Sequence, residues 1–207
     1  MSAGARAAMR ELKQAVADGG RDLSDRLPQL ADRITEHLDT VVKQVRDTDN
    51  YDNTVTTRGP NNTKTTHFDR DTGRPVQEEG TILDDFGGSD RGDNATAIGR
   101  LGNPGDDGGH LGAHRFFGDT PDAGIVPQIA NLNRGAWKKM ESEWADWVAE
   151  GARVDYRIAV DPPGAVRPDN FQVVYAVSDP STGDILEVRD PSFANIHGQT
   201  FDRIHTR

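Results

Sequence analysis

The sequence predicts an α+β chain in which a helical N-terminal segment precedes a domain of antiparallel strands crossed by one amphipathic helix. Three observations lead there. Apolar residues recur every three or four positions before residue 47 and again after 133. They alternate with polar residues in short runs between 63 and 83 and beyond 153. Glycine (22) and proline (11) are too frequent for a helical bundle.

Residues 4–17 and 22–47 read as helices. In the second, Leu23, Leu27, Leu30, Ile34, Leu38, Val41 and Val45 advance by threes and fours, a near-heptad stripe. Asp18-Gly19-Gly20 separates the two, and Pro28 marks a kink or the true start of the second. Residues 1–50 are accordingly assigned as a helical segment serving targeting, chaperone docking or assembly. Polar residues 51–62, with the breaker Gly59-Pro60, read as a linker, and 63–207 as the main domain. Within it, 63–69 and 74–83 form a hairpin about Asp71-Thr72-Gly73. The Gly-, Asp- and Asn-rich stretch 84–109 reads as one long loop, a feature that in compact domains is usually functional or disordered. Trp137, Met140, Trp144, Trp147 and Val148 give one apolar face to a helix over 133–151, so these tryptophans read as core rather than as base-stacking groups. Residues 153–159 and 171–178 are strands, and Ser181-Thr182-Gly183-Asp184 turns the chain into a last one at 185–189.

Composition narrows the functional classes. The 207 residues hold no cysteine, which excludes disulfides, thiolate metal sites and cysteine nucleophiles. No run approaches the ~18 apolar residues of a membrane span, and the N-terminus lacks the apolar stretch of a cleaved signal peptide. The net charge is −10. Nucleic-acid binders that rely on bulk charge are basic, so any phosphate recognition here must be local.

Chemistry concentrates in two stretches, DDGGH at 106–110 and LNRGAWKKME at 132–141. His110 follows two glycines, which the sequence suggests form a tight turn projecting the imidazole, a group suited to taking a proton from water near neutral pH. Asn133 stands at the mouth of the amphipathic helix. His114 forms H-L-G-A-H with His110, the i, i+4 spacing of a helical zinc site. Leu111 occupies the position where a zinc protease needs glutamate, Gly112 weakens a helix, and no third ligand follows.

The run GHLGAHRFFGDTPDAGIVPQIANLNRGAWKKME (109–141) resembles the DNA/RNA non-specific endonucleases of the ββα-metal (His-Me finger) superfamily. It is most similar to the bacterial branch that supplies toxin domains of polymorphic and type VII-secreted proteins. DDGGHL at 106–111, RF at 115–116, IVPQ at 125–128 and LNRGxWxxxExxW at 132–144 carry the resemblance. It extends more weakly over 63–195 and does not reach the first fifty residues.

The resemblance implies a ββα-metal core with His110 as general base and Asn133 as the direct ligand of a divalent ion, magnesium or a relative such as manganese. Glu141, about 12 Å along an ideal helix from Asn133, would act through metal-bound water. Arg100 is a further catalytic candidate, and Arg115, Arg134 and His114 are candidates to contact substrate, since a guanidinium fork matches phosphate oxygens. Asp107, Gly109 and Gln128 read as structural supports, with Asp107 pinning the turn through backbone hydrogen bonds. Two departures stand out: Gly108 where relatives with a DRGH motif have arginine, and Gly124 where asparagine is common.

The implied activity is hydrolysis of DNA, with RNA as a further substrate, by a toxin exported without a cleaved signal peptide. It would act in the target-cell cytoplasm, be neutralised by an immunity protein, and use residues 4–47 to engage a secretion partner. The rival readings are a non-catalytic binding or adaptor protein on a nuclease-like scaffold, and a zinc hydrolase built on His110 and His114.

Overall fold

A computed structural model describes residues 51–88 and 91–205; the helices expected at 4–17 and 22–47 lie outside them. Nine strands and a few helices make up the described chain. Six strands lie side by side in the order β1 (Tyr51–Arg58), β2 (Asn62–Asp69), β3 (Pro75–Ile82), β6 (Arg153–Asp161), β7 (Asn170–Ser178) and β8 (Ile185–Arg189), and short β9 (Ser192–Ala194) also pairs with β7. Every pairing is antiparallel. A separate two-stranded ribbon joins β4 (Asp106–His110) to β5 (Ile125–Ile129). Between these strands sit α1 (Ala95–Gly99) and α2 (His114–Phe117). From β5 the chain passes through a short helical turn α3 (Ala130–Leu132) and a π-helical stretch (Asn133–Trp137) into α4 (Lys138–Ala149).

Alternation explains the sheet's inner face. Val154, Tyr156, Ile158 and Val160 of β6 and Phe171, Val173, Tyr175 and Val177 of β7 are buried, while the residues between them are not. The helical stretch lays Trp137, Met140, Trp144 and Val148 on this surface. Trp144 stacks on Tyr156 with ring centroids 5.1 Å apart and meets Tyr175 edge-on at 5.4 Å. Trp137 packs edge-on against Phe171 and Phe193 at 5.2 and 5.5 Å. Such aromatic contacts add about 0.5–1.5 kcal/mol each beyond the area they bury.

Two sequence expectations change here. Residues 51–58 form strand β1, which runs antiparallel to β2 from Tyr51↔Asp69 to Arg58↔Asn62. Its composition, YDNTVTTR, hides this because an edge strand exposed along most of its length needs no apolar alternation. Residues 84–109 are not one loop either, since they contain α1 and β4. β4 is DDGGH, with no residue of high strand propensity; its partner β5 and the packing of α1 impose the conformation.

Candidate active site

The ribbon and the helix that follows it bring the two chemical motifs together. His110 ends β4, opposite Ile125 on β5. The Trp137 indole N–H donates to the His110 carbonyl oxygen at 3.1 Å, tying this strand end to the π-helical stretch that begins with Asn133. Leu111 N–H donates to Gly124 O at 2.7 Å and carries the ribbon one residue further.

The glycines before His110 act differently from the sequence expectation. Gly108 and Gly109 lie in an extended strand, not a turn. Their role is close approach: a Cβ on Gly108 would overlap the Ala95 carbonyl of α1, and one on Gly109 would overlap the Gln128 side chain. No arginine fits at 108. Gly124 is constrained twice, by φ +74° and by Glu78, whose carboxylate occupies the place of a side chain at 124. That carboxylate is fully buried and meets Lys64 Nζ at 3.0 Å, Thr66 Oγ1 at 2.8 Å and Tyr156 Oη at 2.8 Å.

His110 is 5% exposed, and its Nε2 lies 2.8 Å from Oδ2 of Asp93, itself 1% exposed at the side chain. Sequence reasoning missed Asp93. It sits 17 residues upstream in an acidic, glycine-rich stretch with no motif of its own, and only the packing of α1 against β4 delivers it. A carboxylate only accepts, so Nε2 carries the proton and Nδ1 carries the lone pair. Burial pushes the imidazole down to about 4 and outweighs the opposing pull of Asp93. The ring is therefore neutral at physiological pH.

Asn133 donates its amide N–H to Asp107 Oδ2 at 3.1 Å, which leaves the amide oxygen as the atom able to meet a cation. Asp107 also receives a two-pronged hydrogen bond from Arg134, at 2.7 and 2.6 Å. It thus bonds side chains of the π-helical stretch rather than pinning a backbone turn. Arg134, followed by Asn133, holds the Asp107 carboxyl below its ordinary range. The π-helical geometry around Asn133 is a form that recurs at functional sites. Glu141, one face along in α4, is half-buried. Burial pushes its carboxyl up to about 8, against the nearby Arg91 charge, a hydrogen bond from Trp137 and the charges of Arg115 and Lys138.

The remaining candidates separate. Arg115 pairs with Asp85, Nε to Oδ1 at 2.9 Å. Exposed Arg100 follows α1, near the start of β4, whereas His110 is at its end. Arg91 is the arginine whose charge reaches Asp107, His110 and Glu141 together; the sequence offered no motif to single it out. Gln128 is fully buried over Gly109, and neither its side-chain oxygen nor its nitrogen has a hydrogen-bond partner among the described residues. His114 opens α2 instead of sharing a helix with His110, so the helical premise of a zinc pair fails. The two rings stand edge-on at 5.7 Å, and His114 Nε2 contacts Asp119 Oδ1 at 2.9 Å. Asp93, His114 and Asp119 could together hold a metal ion. Among the described residues no helix is long and apolar enough to cross a membrane.

The sequence profile of DNA/RNA non-specific endonucleases matches residues 56–179, more than half the chain. The fold is similar to that of NucA from Streptococcus agalactiae with magnesium ion bound, at TM-score 0.51 and 14% identity, over 82% of this chain and 93% of that one. A NucA structure with no metal bound matches at TM-score 0.45 and 15% identity, over 74% and 75%. The chain belongs to the DNA/RNA non-specific endonuclease family and is a nuclease.

Proposed function

We propose that the chain is a divalent-cation-dependent endonuclease that hydrolyses DNA, and RNA as well, with little sequence preference. The observation that carries this is the buried Asp93–His110 pair at 2.8 Å, on a strand bonded to the helical stretch that presents Asn133 and Glu141.

His110, neutral and bearing its lone pair on Nδ1, accepts the proton of the water that attacks phosphorus. Asp93 fixes the tautomer and stabilises the imidazolium that forms. Asn133, through its amide oxygen, and Glu141, through water, are the residues that would hold magnesium or manganese. The residues fit such a cation: the Asn133 nitrogen is committed to Asp107, and Glu141 is a half-buried carboxyl in no ion pair among the described residues. The ion, when bound, supplies Lewis-acid stabilisation of charge on the phosphate and the leaving 3′ oxygen. Cleavage then leaves a 5′-phosphate. Arg91 is assigned to the phosphate, because Arg115 and Arg134 are each committed to an aspartate. That local charge answers the recognition problem posed by a chain of net charge −10.

The likeness of 106–144 to secreted-toxin nucleases supports a wider reading. In it the protein is an antibacterial effector, exported by a specialised system, acting in the target-cell cytoplasm and neutralised by an immunity protein. Residues 4–47 would engage the export machinery or its chaperone.

Plasmid DNA and RNA incubated with the protein in magnesium should be degraded, with EDTA abolishing the reaction and product ends accepting a ligase only at a 5′-phosphate. Equal degradation in EDTA, or 5′-hydroxyl ends, would refute the mechanism.

A further inference from the structure

We propose that Asp93, His114 and Asp119 form a second metal site, different in its ligands from Asn133 and selective for zinc or a similar transition metal over magnesium. One ligand atom from each residue lies within 4.8 Å of the others. Three separate stretches deliver them: Asp93 from the segment before α1, His114 from the first turn of α2, and Asp119 from the loop just after α2. Gly118, at φ +73°, turns that loop back, and the Gly92 N–H donates to Asp119 Oδ1 at 3.0 Å, fastening it to the Asp93 segment.

The burial is graded as a binding site requires. The Asp93 and His114 side chains are 1% and 5% exposed, while Asp119 is 43% exposed and leaves a way in. Two carboxylates and an imidazole converge on one small volume, a donor set that suits a divalent cation. Three protein ligands with a water completing the shell is a common zinc arrangement. Ligand atoms around tetrahedral zinc stand about 3.3 Å apart, given bonds of about 2.0–2.2 Å. The trio therefore needs a modest contraction and no change of fold. Imidazole nitrogen favours zinc and cobalt, whereas magnesium prefers oxygen ligands and retained water. Asn133 and Asp107 contribute nothing to this site.

Asp93 belongs to both centres. Its Oδ2 is the acceptor that holds His110, so a cation drawn to the same carboxylate weakens that hydrogen bond and lowers the basicity of the ring. Zinc on this site therefore slows magnesium-supported cleavage. The binding half of the proposal stands without the nuclease reading, and the inhibitory half rests on it.

The test uses the full chain dialysed against micromolar zinc in millimolar magnesium, with metal content measured by mass spectrometry and cobalt substitution followed by visible absorption. One zinc per chain is expected. Asp119→Asn should lower zinc affinity about tenfold or more, and Asn133→Ala should leave it unchanged. Retention of no zinc, or loss with Asn133→Ala but not Asp119→Asn, would overturn the site. In the cleavage assay, zinc should slow the wild type about tenfold and leave Asp119→Asn nearly unaffected; equal inhibition of both would overturn the coupling. Zinc binding without any magnesium-supported cleavage would instead count against the nuclease reading alone.

Discussion

Glu141 and Glu143 are two residues apart on one helix and have opposite fates. Glu143 is fully buried and fully satisfied: Tyr175 Oη donates to it at 2.6 Å, Arg189 at 2.9 Å, and the Ile204 N–H at 2.6 Å. Glu141 is only half-buried, yet it forms no ion pair among the described residues and its carboxyl is raised to about 8. The first carboxylate locks the C-terminal segment onto the sheet. The second is left needing a cation. The carboxyl without an ion-pair partner among the described residues marks the working face, and the one bound by Tyr175, Arg189 and the Ile204 backbone marks the frame.

Substitutions should split along that line. The largest effect on turnover is expected at His110: replacing it with alanine removes the base and should lower the cleavage rate about 10²–10⁴-fold, and the melting temperature should also fall because the buried Asp93 carboxylate loses its partner. On the frame side, Glu143→Gln leaves Arg189 with a weakened partner in a buried setting and should cost up to about 3–5 kcal/mol of stability, read by denaturant unfolding. Glu141→Gln should do the reverse. Cleavage should fall about 10–100-fold while the fold survives, and a glutamine variant as unstable as Glu143→Gln would erase the distinction.

Asp93→Asn should reduce kcat about 10–100-fold, as loss of an orienting partner typically does. It should also move the acid limb of the pH profile downwards, because the Asp93 charge raises the His110 imidazole. A merely structural aspartate would leave the limb in place.

The pH dependences have opposite signs. His110 is held at about 4, below its ordinary 6.5, so its contribution to stability is present above 6.5 and is lost as pH falls towards 4. Glu141 is raised from 4.5 to about 8, so without metal the folded state loses stability as pH climbs through that window. A cation favours the ionised carboxyl. Magnesium affinity should therefore rise with pH up to about 8, by as much as about tenfold per unit, and release a proton on binding. Glu141→Gln should flatten that rise, as calorimetry in buffers of different ionisation enthalpy would report. The smallest effect is expected at exposed Arg134, where alanine should leave the melting temperature unchanged and slow cleavage only severalfold.

What the sequence disclosed follows the same division. Strands β6 and β7 and the Trp137–Trp144–Val148 face announce themselves by period, because burial on one side forces alternation. His110, Asn133 and Glu141 are visible through motif spacing. β1 and β4 are not, since one is a polar edge strand and the other is built from aspartate and glycine. Asp93 and Arg91 are invisible for a different reason. They reach the site through the fold of a glycine-rich connection, and no local pattern encodes a contact made 17 residues away. The meaning of Gly108 and Gly124 also needed coordinates, because only the positions of Ala95 and Glu78 reveal what excludes a side chain.

The most direct test is the single-turnover rate of duplex DNA cleavage in saturating magnesium, for wild type and His110→Ala at a temperature where both are shown to be folded. The account predicts magnesium-dependent cutting by the wild type and a drop of about a hundredfold or more in the variant. Undiminished cutting by folded His110→Ala protein would contradict it.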